Sequence, residues 1–93
     1  MIPGDIIPIE KMTLILTDLH IADAVAETRA QKGENEKKLT ASYEQQILKV
    51  RGVSRDQFLK SFKFYESHPV LLSKIYDNIL IELSKREEAT GKE

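Results

Sequence analysis

The chain has 93 residues, 41% of them apolar and 31% charged, with a net charge of -1 and no cysteine. That is one domain's length, enough to bury roughly 60 to 65% of the surface its unfolded chain exposes, and the charge balance excludes a strong pull towards nucleic acid or an anionic membrane surface. The lack of cysteine excludes disulfides, thiol catalysis and thiolate metal sites. No apolar run approaches the ~20 residues of a membrane span, and residues 1–8 show no basic n-region, apolar h-region or lipobox cysteine, so the chain as written is expected to be soluble.

Residues 1–8 (MIPGDIIP) place Pro3 and Pro8 around Gly4. Each proline holds its predecessor out of the helical region, so an extended arm is expected, with Ile2, Ile6 and Ile7 as anchors. A first helix is predicted over 9–31. At 100° per residue, Ile9, Met12, Ile15, Leu16, Leu19, Ala22 and Ala26 share one broad face, the expected core face. A narrower stripe of Leu14, Ile21 and Val25 runs on the far side with Asp18 inside it. Thr13, Thr17, His20, Ala24 and Thr28 form a polar wedge between the two.

Gly33 is the expected left-handed terminator, followed by a charged loop. A second helix is predicted over 36–51, with Asn35 as N-cap and Leu39, Tyr43, Ile47 and Val50 as its apolar stripe; Gly52 ends it. Ser54 and Gln57 match a capping box, and Val53 and Phe58 match a hydrophobic staple. They start a third helix over 55–67, expected to bury Phe58, Leu59, Phe62 and Tyr65. Pro69 suits the first position of a fourth helix. That helix is predicted over 69–88 with Leu72, Ile75, Tyr76, Ile79, Leu80 and Leu83 as its stripe, and the tail after it is expected to fray. The expected fold is therefore all-α: a compact bundle of about four helices with an extended N-terminal arm, in which antiparallel neighbours are the default.

Chemistry has little to build on. Asp18 lies about 160° around the helix from His20 and Asp23 about 60°, so the three cannot converge on one ion, although His20 and Asp23 can pair. His68 sits where one helix hands over to the next. The serines lack an elbow motif, and the four glycines are isolated, so neither nucleophilic catalysis nor phosphate cradling is supported. The stretch QQILKVRGVSRDQFLKSF has the outline of a helix-turn-helix with Lys49, Arg51, Arg55, Lys60 and Lys63. Against it, Leu48 stands where a small residue is needed and Arg51 where an apolar one is usual, and a solvated charged face is the simpler reading. No enzymatic activity, cofactor or metal is expected.

The apolar residues off the main stripes are more informative. Leu14, Ile21, Val25, Leu48, Phe64 and Ile81 do not all fit one simple four-helix core. Either an irregular bundle or the isoleucine-rich arm covers them, or they form a contact for a second copy or another protein. The candidate interaction surface is Leu14, Asp18, His20, Ile21, Asp23 and Val25. A chaperone-like alternative is a groove between helices that holds apolar segments.

Ile7-Pro8 with Lys11-Met12, the run Leu16-Thr17-Asp18-Leu19-His20-Ile21-Ala22-Asp23-Ala24, Gly52-Val53-Ser54 with Gln57-Phe58, then Tyr65, His68-Pro69 and Ile75-Tyr76 resemble a small Bacteroidetes lipoprotein family, domain of unknown function 4296. The resemblance covers about residues 7–83. It implies export and lipid anchoring on the periplasmic side through a leader and a cysteine upstream of the Ile-Pro segment. The membrane would then be met only through an anchor that this chain does not carry. No catalytic residue carries over, and Asp18, His20 and Asp23 carry over only as a motif of unassigned role.

The cap at Ser54 is directly testable. Ser54→Ala should lower the stability of the domain by about 0.5 to 2 kcal/mol in urea unfolding.

Overall fold

The computed structural model describes residues 2–91, and among them there are four helices and no strand. They are α1 (Ile9–Ala30), α2 (Glu36–Val50), α3 (Arg55–Glu66) and α4 (Pro69–Gly91). The all-α expectation and the punctuation between helices agree with this closely. Asn35 caps α2 by accepting from the Lys38 N–H at 3.1 Å, and Ser54 caps α3 by accepting from the Gln57 N–H at 3.0 Å. Gly33 and Gly52 have φ of 98° and 69°, where a side chain would be strained.

The turn at Gly52 sets the shape. The Gly52 N–H reaches the Lys49 carbonyl at 3.1 Å and the Val53 N–H the Leu48 carbonyl at 2.9 Å, the hydrogen-bond pair of a Schellman motif. Val53 is buried with Leu48 behind it and Phe58 ahead of it in the same cluster. One valine thus closes α2 and staples the start of α3.

Cross-helix contacts trace the topology. Arg29 of α1 bonds Tyr43 of α2, and Asp18 bonds Arg51 just past the end of α2. Ile7, before α1, bonds Ser61 and Tyr65 of α3. Residue numbers fall along α1 as they rise through α2 and α3, so these two helices form one return leg broken at Gly52. α4 runs parallel to α1, since Glu10 and Leu14 face Asn78 to Lys85 while Asp18 meets Arg86. The antiparallel default therefore fails for this pair, because the broken return leg uses two helices to come back once.

The core consists of Ile6 and Ile7 of the arm, Met12 and Ile15 of α1, Leu48, Val53, Phe58 and Tyr65 of the return leg, and Ile75 of α4. The arm is anchored as expected, but it is not extended throughout: the Ile6 N–H bonds the Pro3 carbonyl at 3.1 Å across a turn at Gly4 and Asp5, and the arm lies against α3 and not over the narrow stripe of α1. The Ile7 N–H donates to Ser61 Oγ at 2.9 Å, and the Tyr65 hydroxyl donates to the Ile7 carbonyl at 2.6 Å. Both side chains are fully buried, and the Asp5–Lys60 ion pair pins the outer end of the arm.

Several burial expectations need correction. In α2 the buried residue is Leu48, while Val50 is 83% exposed, because the return leg bends just beyond it and leaves no neighbour on that side. In α3, Ser61 is buried and Leu59 is not; in α4, Tyr76 and Leu80 are exposed. Thr13 and Thr17 of the polar wedge are buried, since α1 has helices on two sides. Their hydroxyls donate to the Ile9 and Thr13 carbonyls at 2.8 and 2.7 Å, so burial leaves no orphan donor. The end of α4 lies at Gly91 and not at residue 88, because Arg86 to Ala89 are good helix formers with no breaker among them. The last two residues of the expected fraying tail, Lys92 and Glu93, lie outside the described residues.

The arm contact yields a stability test. Tyr65→Phe leaves the buried Ile7 carbonyl unpaired and should cost about 1 to 3 kcal/mol. Ser61→Ala should cost a similar amount, and the double variant less than the sum, because either change already frees the arm. Burial also pushes the Tyr65 phenol above its ordinary value of 10.0. Folded protein then holds that proton to higher pH than unfolded chain does. The contribution is complete below pH 10 and is lost as pH rises through the folded value, so Tyr65→Phe should unfold less steeply in alkali than the parent in a pH series of urea midpoints.

Candidate functional site

Of the six residues singled out as an interaction surface, His20, Ile21, Asp23 and Val25 are exposed, while Leu14 and Asp18 are partly buried against neighbouring helices. Asp18 is a structural hub between helices. One carboxylate oxygen accepts from Arg51 Nε at 2.9 Å, with Nη2 in ion-pair contact at 2.9 Å, the other accepts from Arg86 Nη1 at 2.9 Å, and Arg86 also donates to Glu82 at 3.1 Å. Asp18 therefore ties α1 to the end of α2 and to α4, and this pairing holds Arg86 further into its charged form. Leu14 is half-buried against α4 beside Ile81. Ile21 and Val25 are 37% and 43% exposed and border a shallow depression of about 350 Å³ on α1.

His20 borders that depression too, and with Asp23 it also borders a second one. Both are exposed, no hydrogen bond joins them among the described residues, and both stand at the rim of the largest depression described on the domain, a groove of about 680 Å³. α1 supplies Leu16 and Leu19 to its wall, α3 supplies Phe58, Leu59 and Phe62, and α4 supplies Tyr76, Ile79, Leu80 and Leu83. The groove exists because α3 leaves α1 at the Gly52 bend: no Cα of α3 comes within 8 Å of a Cα of α1. The arm fills the end of that gap next to Ser61 and Tyr65, and the end next to Phe58 stays open.

Leu59, Tyr76 and Leu80, read from sequence as core, are 45%, 51% and 66% exposed and line this groove. Periodicity alone marks them as apolar on one face and is silent on whether anything covers that face. The usable signal was the width of the α4 stripe, which places six large apolar residues where a helix with one neighbouring leg needs fewer. Ser61 carried a signal too: a small polar residue four before Tyr65, on a face of otherwise large apolar groups.

The polar side chains of the groove are His20, Asp23 and Tyr76, all exposed. Among the described residues no group of three His, Asp or Glu side chains is placed to hold a metal ion. His68 has a local role at the end of α3. Its Nδ1 is 2.7 Å from the Phe64 carbonyl, and its ring stacks on Phe64 with centroids 4.1 Å apart.

These features define a small all-α domain with an open apolar groove between three helices. The family described as Domain of unknown function (DUF4296) matches residues 3–89, and the chain belongs to that family. Neither a curated protein nor a solved structure matches it significantly. Among the described residues no helix is long and apolar enough to cross a membrane.

Because Asp18 is partly buried between two arginines that reach water, Asp18→Ala should destabilise the domain by about 1 to 2 kcal/mol. The loss should shrink in high salt, measured as the shift of the urea midpoint.

Proposed function

We propose that the domain is a non-enzymatic, envelope-facing binding module of a lipoprotein whose working surface is the groove between α1, α3 and α4, and that it takes up an apolar segment of another protein. The observation that carries this reading is the exposure of Leu59, Tyr76 and Leu80 around one continuous apolar depression. Clustered exposed apolar side chains gain free energy when covered, at ~25 cal/mol per Å² before the costs of association. The volume of the groove falls within the range common for binding sites. Its titratable groups stand at the wet rim, where water is not excluded from a reaction.

The groove is preferred over the narrow α1 stripe. That stripe is divided between the Asp18 hub, the Leu14 contact with α4 and the smaller Ile21 and Val25 patch. A nucleic-acid partner is disfavoured, since Arg51, Arg55 and Lys60 are paired with Asp18, Glu44 and Asp5 and are not arrayed for phosphates. Periplasmic exposure with a lipid anchor in the precursor is supported by the family resemblance. Palmitate labelling of the protein expressed from its own gene tests it, and an unlabelled cytosolic product would refute it.

Binding is tested with labelled apolar polypeptides of two kinds, permanently unfolded chains and helix formers. The parent domain should bind saturably, the Leu59→Gln/Leu80→Gln variant about tenfold or more weakly, and Ile21→Asp as the parent. If none of the polypeptides is bound, or if only Ile21→Asp weakens binding, the groove is not the working surface.

A further inference from the structure

We propose that the occupant of the groove is an amphipathic α-helix of a protein partner, about two turns of which lie in it with basic residues beside the apolar face; this rests on the groove being the binding surface. The first support is how the fold itself handles a non-helical segment. Where the arm lies on α3, the backbone of Ile7 needs Ser61 to accept its N–H and Tyr65 to donate to its carbonyl. One turn earlier on α3, the corresponding positions are Phe58 and Phe62, which offer neither. The backbones of α1 and α4 are committed to their own helices, and the polar side chains of the groove stand at its rim. An extended segment pressed into the groove would leave its N–H and carbonyl groups dry and unpaired, whereas a helix satisfies its own.

Length and charge narrow the occupant further. The lining runs from Leu16 to Asp23 on α1 and from Tyr76 to Leu83 on α4, each about 10.5 Å of helix axis. That accommodates apolar anchors at i, i+3 or i+4, and i+7. Asp23 stands at one end, with Glu27 a turn further along α1 and Glu87 a turn beyond Leu83 on α4, both exposed. With α1 and α4 parallel and Asp18 paired to Arg86, Glu87 stands level with the middle of the α1 wall, and Asp23 and Glu27 follow beyond it along one edge. Arg55, at the start of α3, is already paired with Glu44 at 3.3 Å. A partner carrying Lys or Arg there gains complementary charge.

Fluorescence anisotropy with the full chain and three synthetic peptides of equal length tests the proposal. The first is a lysine-flanked helix former with leucines at i, i+3 or i+4, and i+7; the second carries a central proline; the third has glutamate in place of lysine. The first should bind saturably, gain helical circular dichroism on binding and lose affinity between about 50 and 300 mM salt. The other two should bind about tenfold or more weakly. Leu59→Gln/Leu80→Gln should abolish binding of the first peptide, and Asp23→Asn should reduce its salt dependence without moving the melting temperature.

Equal binding of the proline peptide overturns the helical occupant, and equal binding of the glutamate peptide overturns the basic flank. If no peptide binds while unfolded apolar polypeptides still do, this inference fails and the binding function stands. If neither class binds, both fail. Dimerisation in light scattering that Leu59→Gln/Leu80→Gln prevents, or uptake onto phosphatidylcholine vesicles that it prevents, identifies a second copy or lipid as the occupant and overturns the proposal.

Discussion

The fold depends on the backbone of one residue. The N–H and carbonyl of Ile7 are taken out of water, and Ser61 and Tyr65 are the groups that receive them. A non-helical arm inside a helical bundle is otherwise costly, because helices have no free backbone partners to offer it. With the arm seated, Ile6 and Ile7 fill the space between α3 and the start of α1 as core side chains. The same arm keeps α3 and α1 apart, and the unfilled part of that separation is the groove. Core and candidate site are two ends of one gap.

The local grammar of the chain was legible because it is written in short-range chemistry. Asn35, Gly33, Gly52, Ser54 and Pro69 each act within one turn of their own position, and the helix boundaries follow from them. Burial was less legible. Val50 and Leu48 differ by two residues on one helix, and the choice between them depends on where the return leg bends relative to α1. Leu59, Tyr76 and Leu80 satisfy the same periodicity as true core residues and differ only in having no neighbour above them. The parallel placement of α1 and α4 was hidden for the same reason, since it follows from two short helices sharing one return path.

The Asp18, His20 and Asp23 motif shows how close spacing in sequence separates in space. Asp18 faces the seam of α1 with α2 and α4 and organises two arginines. His20 and Asp23 face the groove. A short run of α1 thus carries a cross-brace on one side and the rim of the groove on the other.

The location of the arm also has a mechanical meaning. Residues 2–8 approach the bundle from outside and are fastened to a helix more than fifty residues away in sequence, through the Ile7 bonds and the Asp5–Lys60 pair. Tension applied at the N-terminus would load those bonds before it reached α1. The α3 turn bearing Ser61 and Tyr65 adjoins the turn bearing Phe58 and Phe62, so a pull on the arm acts on one wall of the groove. A tether at this end of the molecule and an occupant in the groove would therefore act on the same short helix.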